Sequence, residues 1–245
     1  MIPVILAAVV FVVVWKLVVV IGNYPPFILP SPEAVGSRLL AAWTDGTIAP
    51  HAATTLTEIA WGLLFGTVLA VVIGYVLARS PLAERLLSPY LVAAQATPIL
   101  AVAPLLVLWL GTGLAAKVVI CALIVFFPVA VATIVGIRSV DARLLELGRS
   151  LRATRWQVFR HLELPAAMPQ ILGGLRIGAT LSVIGAIVGE WAGPDRGLGV
   201  LLNLARGSLF DTPLLFATLF TIAAIGVLLY LMVVLAERAL VGSWR

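Results

Sequence analysis

Residues 137–169 read IRSVDARLLELGRSLRATRWQVFRHLELPAAMP. They form the longest polar interruption in an otherwise apolar chain. They carry six of its sixteen basic residues: Arg138, Arg143, Arg149, Arg152, Arg155 and Arg160. Within them, large apolar side chains recur at helical spacing, first Leu144, Leu145, Leu147 and Leu151, then Trp156, Val158, Phe159 and Leu162. Ala153-Thr154 divides the two sets, so the spacing predicts two short helices joined by a bend. A segment of this size has no core of its own. Its apolar groups either pack onto neighbouring helix ends or are buried by a partner; a basic amphipathic helix lying on anionic lipid is the alternative.

The remainder sets the solvent. Of 245 residues, 62% are hydrophobic and 11% charged, and the mean hydropathy is +1.15. Soluble domains carry roughly 25% charged residues, so this chain is too apolar to cover its own surface in water. An all-α polytopic membrane protein follows. The alternating ten-residue segments of a membrane β-barrel are missing. A net charge of +5 with a pI near 10.0 is what basic residues collected in cytosolic loops produce, and no aromatic-rich basic patch points to nucleic acid. Cys121 is the only cysteine and lies in an apolar run, facing lipid or core. His51 and His161 are far apart and have no ligand partners in sequence, so no metal site or cofactor is expected.

Six spans are predicted. Residues 3–22 are an uncleaved first helix containing Lys16, with a signal peptide as the alternative. Residues 31–45 form an external amphipathic helix, opened by Ser31-Pro32 and too polar to span. The second span, about 56–78, carries Gly62, Gly66, Ala70, Gly74 and Ala78 at every fourth position, a face for close helix approach. The third, about 87–110, contains Gln95, Thr97, Pro98 and Pro104. Proline frees backbone carbonyls, which survive in a membrane only against protein or a water-filled path. Gln95, Thr97 and Pro98 are therefore either translocation-path residues or part of a proline-kinked packing helix. The fourth span covers about 116–137. The fifth, about 171–191, repeats the small-residue row with Gly174, Gly178, Ser182 and Ala186, and the same row reaches Glu190. Glu190, with Ser182, either faces the path or pairs with Arg196 or Arg206. The sixth span is about 214–236.

With six spans both termini share one side. Termini in the cytosol put eleven basic residues inside against four outside, Arg38, Lys117, Arg196 and Arg206, with Lys16 inside a span. That asymmetry assigns both termini and the 138–165 stretch to the cytosol of a cell (inner) membrane protein.

A resemblance then becomes specific. Glu146-Leu147-Gly148, three residues, Arg152, nine residues, and Leu162-Glu163-Leu164-Pro165 are similar to the EAA motif of binding-protein-dependent ABC importer permeases. That pattern is E-A-A, three residues, G, nine residues, I-x-L-P. Arg152 stands at the glycine position, where a positive φ is costly for a side chain, so a bend of different shape or a matching acid on the partner is expected. The stretches ILPSPEAV, QATPILAVAPLLVLWLGTG and GEWAGPDRGLGVLLNLA extend the resemblance over about residues 25–240, toward the nitrate/sulfonate/taurine branch that also includes thiamine-pyrimidine-precursor and riboflavin permeases.

The resemblance implies one permease domain, 1–245, with a five-helix unit over 56–240 and a coupling loop over 138–165 between spans four and five. Glu146, Gly148, Arg149, Leu151, Arg152, Ala153, Arg155, Trp156, Phe159, Leu164 and Pro165 would meet a separate cytosolic ATPase, present in two copies. An extracytoplasmic solute-binding protein, a second copy of the chain and the lipid bilayer are the other implied partners. Neither lysine, Lys16 or Lys117, sits in G-x-x-x-x-G-K-[ST], so the chain has no phosphate loop of its own. An ATP-independent secondary transporter or channel is the competing class; it would show internal repeats or midplane ionisable groups. An intramembrane enzyme lacks its motifs here.

Overall fold

Ser31-Pro32 and Ser80-Pro81 each open a helix as their chemistry dictates. The serine hydroxyl accepts an N–H of the first turn, from Ala34 and Ala83 at 3.3 and 3.2 Å, and proline occupies a position needing no donor. The computed structural model describes residues 2–193 and 195–242. Its helices are α1 (Ile2–Ile21), α2 (Pro32–Thr44), α3 (Ile48–Arg79), α4 (Pro81–Ala96), α5 (Ile99–Leu110), α6 (Leu114–Arg138), α7 (Ala142–Ser150), α8 (Arg155–Val158), α9 (Leu164–Ala192), α10 (Leu198–Gly207) and α11 (Thr212–Gly242). A π-helical turn, Phe159–Glu163, joins α8 to α9. No strand occurs among the described residues.

α6 is the centre of the bundle, packed chiefly on α9 and α3. The small-residue rows lie at these contacts. A Cβ on Gly66 would stand 2.6 Å from the Ala122 carbonyl oxygen, and one on Gly174 2.8 Å from that of Pro128. Such closeness substitutes for the hydrophobic drive that lipid removes. α11 covers α9, α10 and α2. At its start the Asp211 carboxylate accepts the Leu214 N–H at 2.9 Å and binds Arg38 of α2 at 2.7 Å.

Four helical runs are long and apolar enough to cross a bilayer: α3, α6, α8 through α9, and α11. The expected third span is not one helix. α4 and α5 meet at 98°. Pro98 has no N–H to continue the ladder, and it holds Thr97 extended at ψ 124°. The second span also begins earlier than expected, at Ile48. Counted by length and composition, the spans number four, or five with the bent pair, and α1 is a shorter apolar helix. Lys16 of α1 pairs with Glu33 of α2, whose carboxyl this contact holds below the usual range.

Candidate functional site

The 142–165 stretch is two short helices and a bend, as its spacing predicts. α7 closes in a Schellman-type arrangement: Leu151 N–H bonds to the Leu147 carbonyl at 3.0 Å, and Ala153 N–H reaches the Gly148 carbonyl at 2.9 Å. Arg152 takes the left-handed position of that motif, at φ +52°. The bend therefore has the shape glycine would give, not a different one. A non-glycine residue there costs about 1 kcal/mol. Thr154 and Gln157 form a reciprocal capping box that starts α8. Gly148 is buried against the following turn, where a Cβ would make ordinary contact with Leu162 and Val158 at 3.4 and 3.5 Å.

Leu147, Leu151 and Trp156 stand exposed, Leu151 at 73% and Trp156 at 63%. Phe159 is half-buried, edge-on to Tyr75 of α3 at 5.0 Å and 5.5 Å from Trp156. Glu146, Arg152 and Arg155 are exposed, Ala153 and Leu164 half-buried, and Pro165 opens α9. The Arg149 side chain lies outside the described residues. Two anchors were missed in the sequence. Glu163, 1% exposed, forms an ion pair with Arg79 at the end of α3. Arg138 at the end of α6 holds Glu84 of α4 through two hydrogen bonds, 2.6 and 2.9 Å. The Glu163 signal was a carboxylate in the variable place of the L-x-L-P turn, but nothing in the sequence gave its partner.

The α4–α5 break opens a groove of about 860 Å³ against α6 and α9. Gln95, Thr97 and Pro98 line it, facing Phe127, Gln170 and Leu181. Ser182 and Glu190 do not. Ser182 is fully buried, its hydroxyl donating to the Ala179 carbonyl at 2.7 Å.

Glu190 belongs to a third site, a buried polar cluster where α3, α6 and α9 meet the loop before α10. Lys117 Nζ lies 3.1 Å from Glu58 Oε1 and donates to the Arg196 carbonyl at 3.0 Å. Glu190 accepts the Thr55 hydroxyl at 2.5 Å and the Gly199 N–H, and contacts Glu58. Thr55 in turn accepts the Leu198 N–H at 2.9 Å, and His51 Nδ1 meets the Gly197 backbone. Thr55, Glu58, Lys117 and Glu190 are each at most 2% exposed. Gly197 is required twice over: its φ is +148°, and a Cβ would enter the Glu190 carboxyl group. Glu190 is thus held by Thr55, Gly199 and the Lys117–Glu58 pair in place of Arg196 or Arg206. Glu58, Lys117 and Glu190 are charged residues on helices that cross the membrane. Among the described residues no group of three or more His, Cys, Asp or Glu has the placement to hold a metal ion.

The chain as a whole is similar to known proteins. The family model described as "Binding-protein-dependent transport system inner membrane component" matches residues 62–242. A riboflavin transport system permease protein of Chloroflexus aurantiacus is 43% identical over 229 residues, covering 94% of this chain and 85% of the relative. A formylaminopyrimidine transport permease protein of Halalkalibacterium halodurans is 35% identical, covering 95% and 92%. A taurine transport system permease protein of Escherichia coli is 33% identical, covering 91% and 82%. Among solved structures, an inward-facing MetNI methionine ABC transporter has the same fold, with a TM-score of 0.69 at 20% identity over 79% of this chain and 95% of that one. These relatives are transport permeases and not enzymes. The chain is a multi-pass inner-membrane protein of the binding-protein-dependent transport system family, the permease subunit of an ABC importer.

Proposed function

We propose that the chain works as a homodimer with two copies of a cytosolic ATPase, moving a small organic solute that an extracytoplasmic binding protein delivers. α1 and the α4–α5 pair complete six spans, with both termini in the cytosol. The 142–165 stretch is the coupling loop. Leu147, Leu151 and Trp156 enter the ATPase groove, and Arg152 and Arg155 meet acids on its rim. The observation that supports this is a row of exposed apolar side chains on a bend that is tied rigidly to α3 by Phe159–Tyr75 and Glu163–Arg79. A force on such a bend reaches the spans and is not dissipated in a loose loop. ATP-driven closure of the two ATPases moves two such loops together. The solute path runs along the groove at Gln95, Thr97 and Pro98. α2 and α10 form the face for the binding protein. The names of the relatives support two solute groups, flavin- and pyrimidine-like molecules and sulfonates such as taurine.

Trp156→Ala and Glu146→Ala test the loop in proteoliposomes holding the permease, its ATPase and its binding protein. Both variants are expected to insert normally, to lose uptake and to lose binding-protein stimulation of ATP hydrolysis. Persistence of both activities in both variants contradicts the coupling role.

A further inference from the structure

The groove at the α4–α5 break has a composition that separates the two solute groups. No Asp, Glu, Lys, Arg or His lines it. Its walls are apolar and include Phe127, Ile177 and Leu181. Its polar side chains are those of Gln95, Thr97 and Gln170. The Thr97 hydroxyl is already used, donating to the Ala93 carbonyl at 2.9 Å. Gln170 stands among the lining side chains, and its Oε1 atom is buried in the wall without a hydrogen-bond partner. A polar atom left unpaired in the wall is costly, so a solute that draws the Gln170 amide into a hydrogen bond is favoured.

Four cations of the α3, α6 and α9 helices are already paired with carboxylates. Among the described residues Lys117 is paired with Glu58, Arg79 with Glu163, Arg138 with Glu84 and Arg176 with Glu237. The first turn of α5 starts at the groove and offers free N–H groups, but α4 ends there too and brings its carbonyl end. A helix end is worth far less than the desolvation of a full charge. A sulfonate brings acceptor oxygens only, and so uses the donor half of each amide alone.

We propose that this groove is a solute site for an uncharged heteroaromatic molecule with neighbouring N–H and C=O (or ring N) edges, read by the Gln170 and Gln95 amides, and that it excludes sulfonates. This rests on the importer reading and narrows its solute class. An amide side chain donates and accepts at once, as the edge of a flavin or a pyrimidine does. The apolar walls and Phe127 suit the faces of such rings.

The test is equilibrium binding to the permease–ATPase complex in nanodiscs without binding protein, using riboflavin, cytosine and pentanesulfonate as probes. Saturable binding of riboflavin or cytosine is expected, with none of pentanesulfonate. Gln170→Leu is expected to weaken the neutral probe at least tenfold, and Gln95→Leu, at an exposed position, to weaken it without touching the fold. Gln170→Arg is expected to admit pentanesulfonate. Equal binding of pentanesulfonate by the unaltered complex overturns the proposal. So does unchanged binding in both leucine variants, or failure of both neutral probes. Failure of the ATPase to co-purify with the unaltered chain sinks the importer reading itself, which separates the two outcomes.

Discussion

Lys117→Met is the sharpest perturbation of the fold. Lys117 is 2% exposed, 3.1 Å from Glu58, and supports the Arg196 carbonyl; Glu58 is 0% and Glu190 1% exposed. Removing the ammonium leaves two neighbouring carboxylates buried without a counter-ion. Breaking a buried pair from one side costs about 3–5 kcal/mol. That is a large share of a total stability of about 5–15 kcal/mol, and roughly a hundredfold or more in the folded population. The double variant Lys117→Met/Glu58→Gln removes both charges of the pair and leaves Glu190 with its Thr55 and Gly199 hydrogen bonds, so it is expected to recover part of the loss. Thermal unfolding of nanodisc-held protein, followed by loss of the monodisperse gel-filtration peak, reads all three chains. A Lys117→Met protein as stable as the parent, or a double variant no better than the single one, refutes the reasoning.

Three further outcomes follow from other contacts. Arg152→Gly relieves the left-handed strain at φ +52° and is expected to stabilise the α7–α8 bend by about 1 kcal/mol, read as slower amide exchange over 147–158; faster exchange contradicts it. Gly66→Val puts atoms against the Ala122 carbonyl, 2.6 Å from the first of them, and is expected to cost about 1–3 kcal/mol by forcing α3 from α6; unchanged thermal stability speaks against that packing. Glu33, held below the usual range by its Lys16 hydrogen bond, contributes to α1–α2 docking fully above the unfolded carboxylate value of about 4.3. That contribution is lost as pH falls through the lower folded value, so a Lys16→Cys/Glu33→Cys crosslink control aside, α1 mobility by spin label should rise only in acid, and a rise between pH 5 and 8 counts against the pair.

The periodic features were legible in the sequence because they are local. Small residues every fourth position in α3 and α9 predicted the close faces that α6 fills. The Ser31-Pro32 start and the Ala153-Thr154 divide placed helix ends within a few residues. The sharp break at Thr97-Pro98 was half-legible: proline marked it, but the 98° angle depends on how α5 packs against α6 and α9. The Glu58–Lys117–Glu190 cluster was illegible, since its members sit on three helices and only tertiary packing joins them. For the same reason nothing in the sequence marked Gln170. Arg152 misled by chemistry: the bend keeps its glycine-like shape because the Ala153–Gly148 hydrogen bond and the Thr154 cap fix the backbone on both sides.

Site-specific crosslinking between the loop and the ATPase tests the coupling assignment most directly. Leu151→Cys and Trp156→Cys, each carrying a short thiol-reactive photoprobe, are to be illuminated in membranes that also contain the ATPase, with the exposed Leu108→Cys of α5 as the control. The account predicts permease–ATPase adducts from the two loop positions and none from Leu108. Absence of loop adducts, or equal yield from the control, contradicts it.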